Sequence, residues 1–351
     1  MIVVAGEALI DLMPTPGAQD QFAARPGGAP CNVAVGVARL GRSTSFLGRI
    51  GGDPFGRLLR QHLDDAGVDS SLVIPAAEAT TLAVAALDGH GKAEYTFYAA
   101  GTADWQWAES EIPRVLPGRP RALYLGGLAL RLAPGAAVLE GLMRRTQRQG
   151  RTLIFFDPNV RTGFGFTAAA ERARIERQVR LAHVVKASED DIALLYPGRD
   201  YREIALAWQG MGAGLVAVTL GADGVYALSP GGIETTVPSV PADVVDTIGA
   251  GDAFAAAMLD RLVGHLPAGA APADGLRGLG TDAIRRLLER ACVSAALTCE
   301  RTGAQCPDAR ALDDAAARRQ RVQPKQVGPA AGIRPAAGAG PTAGAGPAIP
   351  G

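Results

Sequence analysis

The sequence predicts an α/β fold built on a mostly parallel central sheet, and three observations carry that reading. From residue 122 onward, short apolar runs alternate with helical patterns: 122–127, 152–156, 182–186 and 215–220 read as strands, and 136–149 as a helix. Strands separated by helices of that length form βαβ units, which pair in parallel. Second, the later strands each run into a polar cluster: Asp157-Pro158-Asn159-Val160-Arg161, Ala187-Ser188-Glu189-Asp190-Asp191 and Gly221-Ala222-Asp223-Gly224. Open α/β sheets bind ligands in the crevice beyond the carboxyl ends of their strands, so these clusters converge on one edge. Third, Asp246-Thr247-Ile248-Gly249-Ala250-Gly251-Asp252-Ala253-Phe254 joins a glycine turn to a breaker-free apolar run over 253–263 that reads as a buried helix.

The 351 residues suffice for one large or two ordinary domains, and 48 % hydrophobic with 20 % charged residues is the composition of a soluble globular protein. With 35 basic and 35 acidic side chains the formal charge is zero, which argues against nucleic acid or a membrane surface as partner. Cys31, Cys292, Cys299 and Cys306 show neither CxxC spacing nor a nearby histidine set, and read as thiols of a cytoplasmic protein. The first residues lack a basic leader region and no apolar run reaches membrane-spanning length, so the expected location is the cytosol.

In order, the chain opens on a strand over 2–5 that breaks at Gly6 and resumes over 8–12. Asp11 interrupts this second run. A buried acid needs hydrogen-bond partners, so Asp11 is either a strand-end turn acid or an acceptor for ligand hydroxyls. In the stretch 25–41, Gly27-Gly28 permits a turn, Pro30 suits a first helical turn and Gly41 suits the residue after a helix end. Asn32 falls in that first turn, where its amide faces whatever the turn cradles. Residues 46–56 read as a strand followed by a Gly/Asp turn. Residues 82–87 and 93–98 flank Asp88-Gly89-His90-Gly91-Lys92 as a hairpin, with His90 solvated and given no chemistry. Toward the end, 264–280 reads as a surface loop, 282–300 as a helix, and 303–307 as the close of the fold. Residues 313–327 are charged and expected to fray outward. Residues 328–351, almost wholly Gly, Ala and Pro, are expected to be disordered.

The chemistry concentrates at 246–254. Glycines let backbone N–H groups converge without a Cβ in the way, and a helix start adds unpaired donors and a positive dipole end. The result is an anion nest. Asp252 beside it is badly placed to bind phosphate but well placed to take a proton from a hydroxyl attacking one. No GxxxxGK[ST] phosphate loop occurs in the chain, which leaves the nest to do that work.

The run D-T-I-G-A-G-D-A-F at 246–254 and the pattern G-G-x-x-x-N-x-A-x-x-x-A-R-L-G at 27–41 resemble the two signatures of the ribokinase-like (PfkB) carbohydrate kinases. The resemblance covers roughly residues 2–307. Asp-Pro-Asn-x-Arg at 157–161 and Lys-x-Ser-Glu-x-Asp at 186–191 look most like the bacterial fructokinase branch. It implies a three-layer α/β/α core in a folded domain over 1–312, with a small β-sheet lid drawn from about 8–24 and 80–100, and a tail over 313–351. Trp105 and Trp107 then either close over the pocket or anchor the lid. By resemblance, Asp11, Gly27, Gly28 and Asn32 hold the sugar, Asp252 is the base, and Gly249, Ala250 and Gly251 give N–H groups to the transferred phosphoryl group. Thr219, Gly221, Gly224 and Cys292 approach the nucleotide, while Lys186, Ser188 and Asp191 sit near the triphosphate and its Mg²⁺. Arg161 takes either a phosphate contact or a strand-end salt bridge. Relatives bind K⁺ with carbonyls matching Asp246, Ile248, Arg301 and Gly303.

Two departures from the family pattern touch these roles. Ser188-Glu189-Asp190-Asp191 stands where relatives often have Asn-x-x-Glu, and Cys292 where they often have asparagine near adenine. The implied activity is transfer of the γ-phosphate of ATP to a neutral sugar, fructose first. A ribokinase or nucleoside kinase, a 2-keto-3-deoxygluconate kinase and a silent sugar-binding regulator are the competing readings. Acid-sugar relatives often carry Tyr-Arg where this chain has Tyr98-Ala99, which argues against an acidic acceptor. Lids in the family often pair, so a homodimer through the lid is expected.

Overall fold

A computed structural model describes residues 1–322 apart from Pro16, 88–92 and Ala268. The turn carrying His90 and Lys92 and the tail at 328–351 lie outside the described residues. Along the chain, β1 (Ile2–Ala5) is followed by β2 (Leu9–Thr15), β3 (Ala18–Gly27) and α1 (Ala29–Arg39). Then come β4 (Thr44–Leu47), β5 (Arg49–Gly51), α2 (Pro54–Asp65), β6 (Ile74–Ala76), β7 (Leu82–Leu87) and β8 (Ala93–Tyr98). The alternating part runs β9 (Ala122–Gly126), α3 (Gly135–Gln149), β10 (Leu153–Asp157), α4 (Ala168–Val179), β11 (Val184–Ser188), α5 (Glu189–Leu195), α6 (Tyr201–Gly210) and β12 (Leu215–Thr219). It ends with β13 (Val225–Ser229), β14 (Ile233–Val237), α7 (Ala250–His265), α8 (Pro272–Arg277), α9 (Thr281–Cys299) and α10 (Ala309–Val322).

Eight strands form the central sheet in the order β14-β13-β12-β11-β10-β9-β1-β4, parallel except for β13 and β14 at one edge. Its parallel strands are largely apolar because both faces are covered, as a parallel sheet requires, whereas the edge strand β14 exposes Ile233, Glu234 and Thr236. Successive side chains alternate between the two layers. Ile2, Val4, Tyr124, Phe155 and Val184 pack with α1, α7 and α9, whereas Val3, Ala5, Leu123, Ile154, Phe156 and Val185 pack with α3, α4, α5 and α6. The expected three-layer core is present. A second sheet, β3-β2-β7-β8, stands apart from it as the lid.

Two expectations are corrected, and one packing feature is added. The 264–280 stretch contains α8, because Leu276 buries against Gly214 and the core. Residues 313–322 continue α10 rather than fraying, and Ala315 is buried alongside Leu312 against the α9 layer. Small residues in α1 serve a helix as well as the sheet: a Cβ on Gly36 would fall 2.8 Å from Ala256 Cβ, so α1 and α7 come together closely there.

Candidate active site

The close crossing of α1 and α7 sets the central contact of the site. Asn32, in the first turn of α1, donates from Nδ2 to Asp252 Oδ2 at 2.8 Å, and both residues are buried. Gly249 caps α7 in a left-handed conformation (φ 78°), and a Cβ there would come within 2.4 Å of Ala304 Cβ, so only glycine fits. The helix begins with Ala253 N–H on Gly249 O at 2.8 Å, and Ala250 N–H closes on Thr247 O at 3.3 Å. That leaves the N–H groups of Gly249, Gly251 and Asp252 without an acceptor among the described residues, and the last two, in the first turn of α7, are the donor pair an anion nest needs. Ala250, expected to contribute its N–H, spends it in the turn.

One cavity of about 420 Å³ opens on the nest from the lid side, lined among others by Asp11, Gly28, Asn32, Arg161, Lys186 and Asp252. A second, of about 530 Å³, opens from the other side and includes Thr219, Gly221, Gly224, Cys292 and the apolar Phe254, Val244 and Ala295. Thr247 and Gly251 line both. The two cavities therefore meet at the nest.

Asp11 reaches the first cavity from β2. Gly27 makes room for it, because a Cβ there would lie 2.1 Å from Asp11 Oδ2, while Gly28 (φ 94°) turns the chain from lid to α1. The Asp11 carboxylate is pushed up to about 7, first by burial and then by the Asp252 charge, with Arg161 opposing. Burial likewise raises Asp252, against the Asn32 hydrogen bond and the charges of Lys186 and Arg161. Lys186 is buried and bonds Asp157 Oδ2 at 2.9 Å. Arg161 is exposed at the cavity wall and forms no salt bridge among the described residues, so the strand-end ion pair is not its role.

Ser188 and Asp191 are corrected. Ser188 caps α5, accepting from Asp191 N–H at 3.0 Å, and Asp191 returns the bond to Ser188 N–H at 2.8 Å while its other oxygen accepts from Val160 N–H at 2.7 Å. Neither lines either cavity; Asp191 is a buried backbone clamp rather than a metal ligand. Trp105 and Trp107 are buried in the layer with Leu139 and Leu142 and line neither cavity, so they anchor rather than close. Among the described residues no group of three His, Cys, Asp or Glu stands together for a metal.

The residues expected to hold a monovalent cation lie on two segments that hydrogen bonds join. Asp246 accepts from Ile248 N–H at 3.0 Å and Gly303 N–H at 2.8 Å, which ties the nest loop to the segment after α9. The carbonyls of Asp246, Ile248 and Arg301 take no hydrogen bond from the described residues; that of Gly303 accepts from Gln305 N–H at 2.7 Å.

Sequence reasoning missed Glu7, Tyr95 and Phe97, and placed Asp157 and Asn159 at the ligand edge without giving either a role. Tyr95 and Phe97 are the lid's contribution to the first cavity. Glu7 lines it too, with its carboxylate accepting from Leu128 and Ala129 N–H at 3.1 and 3.0 Å, and burial pushes it up to about 7.

A parallel sheet with a lid, and an acid beside an anion nest where two cavities meet, define a phosphotransferase site. Residues 1–310 match the pfkB family carbohydrate kinase, and the chain belongs to that family. It is 35 % identical over 266 residues to a fructokinase of Klebsiella pneumoniae, covering 75 % of this chain and 85 % of that one. The fold is similar to fructokinase with bound ATP from Xylella fastidiosa, with a TM-score of 0.82, 29 % identity, and coverage of 91 % of this chain and 98 % of the other. It is also similar to the Vibrio cholerae enzyme in fructose, ADP and calcium ion bound form, with a TM-score of 0.77, 31 % identity and coverage of 89 % and 97 %. A double mutant of that enzyme is known in fructose, ADP and potassium ion bound form. The present chain is an enzyme that transfers phosphate to a sugar hydroxyl.

Proposed function

We propose that the acceptor is D-fructose and that ATP is the donor, with the sugar in the lid-side cavity and the nucleotide in the apolar one. The observation that carries this is the sharing of Thr247 and Gly251 by both cavities. A γ-phosphoryl group at that junction faces the unpaired N–H groups of Gly251 and Asp252, while a sugar hydroxyl on the other side faces the Asp252 carboxylate. Asp252 takes the hydroxyl proton, the N–H pair and Lys186 meet the charge on the transferred group, and positioning does the rest. Asp11 accepts no hydrogen bond from the described residues, which leaves both its oxygens for paired hydroxyls of a neutral sugar. Glu7, Asp11 and Asp252 on the wall disfavour an acidic acceptor.

Mg²⁺ would arrive on ATP, since the described residues offer it no ligand cluster. It would neutralise phosphate charge there. K⁺ fits the carbonyls of Asp246, Ile248 and Arg301, where an added positive charge strengthens the field at the nest. We place the enzyme in the cytosol, where ATP is made and thiols such as Cys31 and Cys306 stay reduced. A second copy would pair through the lid, where Phe22 and Tyr98 are exposed.

A coupled assay with ATP against fructose, ribose, a riboside and 2-keto-3-deoxygluconate tests the reading, run in K⁺ and in a bulky organic cation at matched ionic strength. Fructose is expected to give the highest kcat/KM, with faster turnover in K⁺. Preference for the acid sugar would overturn the acceptor assignment, and equal rates in both salts would remove the cation site.

A further inference from the structure

Asp157 and Lys186 form an ion pair in the middle of the sheet, with side-chain exposures of 0 % and 6 %. The register that sets Phe156 against Val185 carries Asp157 alongside Lys186 at the carboxyl ends of β10 and β11. Burying two charges costs several kcal/mol in desolvation and rarely stabilises a fold, so such a pair at a cleft calls for a functional reason. Lys186 supplies one. It lines the first cavity with Asp252, and a Cβ on Gly251 would fall 3.2 Å from its Nζ, so the ammonium stands directly beside the nest. Asp157 has little other employment: Oδ1 is buried without a partner among the described residues, and Tyr124 Oη lies 3.5 Å from Oδ2.

We propose that Asp157 is a positioning residue whose carboxylate seats the Lys186 ammonium against the nest, where it meets the phosphoryl group in transfer. The inference rests on the phosphotransfer reading of the two cavities. The acids facing Lys186 are Asp157 on β10, Asp191 on α5 and Asp252 on α7, while Arg161 faces Asp252 and Asp11 from the cavity wall. Burial works to strip the Lys186 ammonium of its proton, but the charges of Asp157, Asp191 and Asp252 outweigh it and hold the group above its ordinary value, Asp157 most of all. With Asp157 made neutral, burial persists and its main opponent is gone. Lys186 then deprotonates at a pH where the native enzyme still carries the charge.

The test is the pH profile of kcat at saturating fructose and ATP for the native enzyme, Asp157→Asn, Lys186→Met and the double variant. The ratio of Asp157→Asn to native kcat should fall as pH rises into the alkaline range, by about tenfold per unit once past the new pKa. The fructose KM should stay within about twofold, because Asp157 does not touch the cavity. Lys186→Met should lose roughly 10²–10³-fold in kcat, as for one donor to a developing anion. The double variant should be no worse than Lys186→Met. Asp157→Ser, which shrinks the site instead of offering it an amide, carries the same expectation where the asparagine variant folds poorly. A pH-independent ratio, an additive loss in the double variant, or unfolding of both Asp157 variants while Lys186→Met folds would overturn the proposal. A native enzyme inactive on every sugar tested would instead sink the function it rests on.

Discussion

Asp11 is a half-buried acceptor whose oxygens the described protein leaves unused, and the cost of that is compensated when a ligand hydroxyl arrives. Replacing it by alanine should raise the sugar KM by roughly 10- to 150-fold, the equivalent of about 1.5–3 kcal/mol for a contact to a charged group. The KM for ATP should stay nearly constant; a shift in ATP KM instead would move Asp11 out of the sugar site. Residues differ in how far the sequence betrays them. The nest before Asp252 is legible because its donors are consecutive in the chain. Asp191 misleads because the same Ser-x-x-Asp spacing that suggests phosphate contacts is also a capping box, and the local partner wins. Asp157 gives its purpose away only through Lys186, which is 29 residues distant and adjacent by strand register alone.

Between elements, the lid hangs on a knot of buried polar groups. Asp104 accepts from Ala8 N–H at 2.9 Å and from the Thr81 hydroxyl, and Thr81 Oγ1 lies 2.6 Å from Thr102 Oγ1. Ala8 leads from β1 into β2, Thr81 precedes β7 and Thr102 follows β8. Two crossings between core and lid are thus fastened to one carboxylate directly, and a third reaches it through Thr81. Asp104→Ala should orphan buried donors at a cost of about 1–3 kcal/mol, lowering Tm by several degrees. Because the lid lies over the sugar cavity, it should also raise the sugar KM several-fold while sparing that for ATP. Equal shifts in both constants would mean the knot supports the whole fold rather than the lid. The β7–β8 hairpin could be read from its two apolar runs and Gly-rich turn, but not this fastening, whose partners lie 96 and 23 residues apart.

Across the whole molecule, burial holds Glu7, Asp11 and Asp104 up to about 7 and Asp157 up to about 6. Unfolded, such carboxyls titrate near 4, so between about pH 4 and 7 the native state binds the more protons and stability falls as pH rises. His183, lowered by burial to about 4, and His62, also lowered by burial, act in the opposite sense but are fewer. Tm of the ligand-free enzyme should therefore be higher at pH 5 than at pH 8, and the reverse order would show that these acids stay ionised in the fold. The two-sided apolar strands made the core layers legible; α8 and the continuation of α10 were not, because short or charged helices earn their place through a few buried residues such as Leu276 and Ala315. What the fold finally builds is one carboxylate at the meeting of two cavities, and kcat of Asp252→Asn measures that most directly. With fructose and ATP affinities near native, turnover should fall by about 10²–10⁴-fold, the contribution of a general base. A folded variant that binds both substrates and keeps more than about a tenth of native kcat would contradict the account.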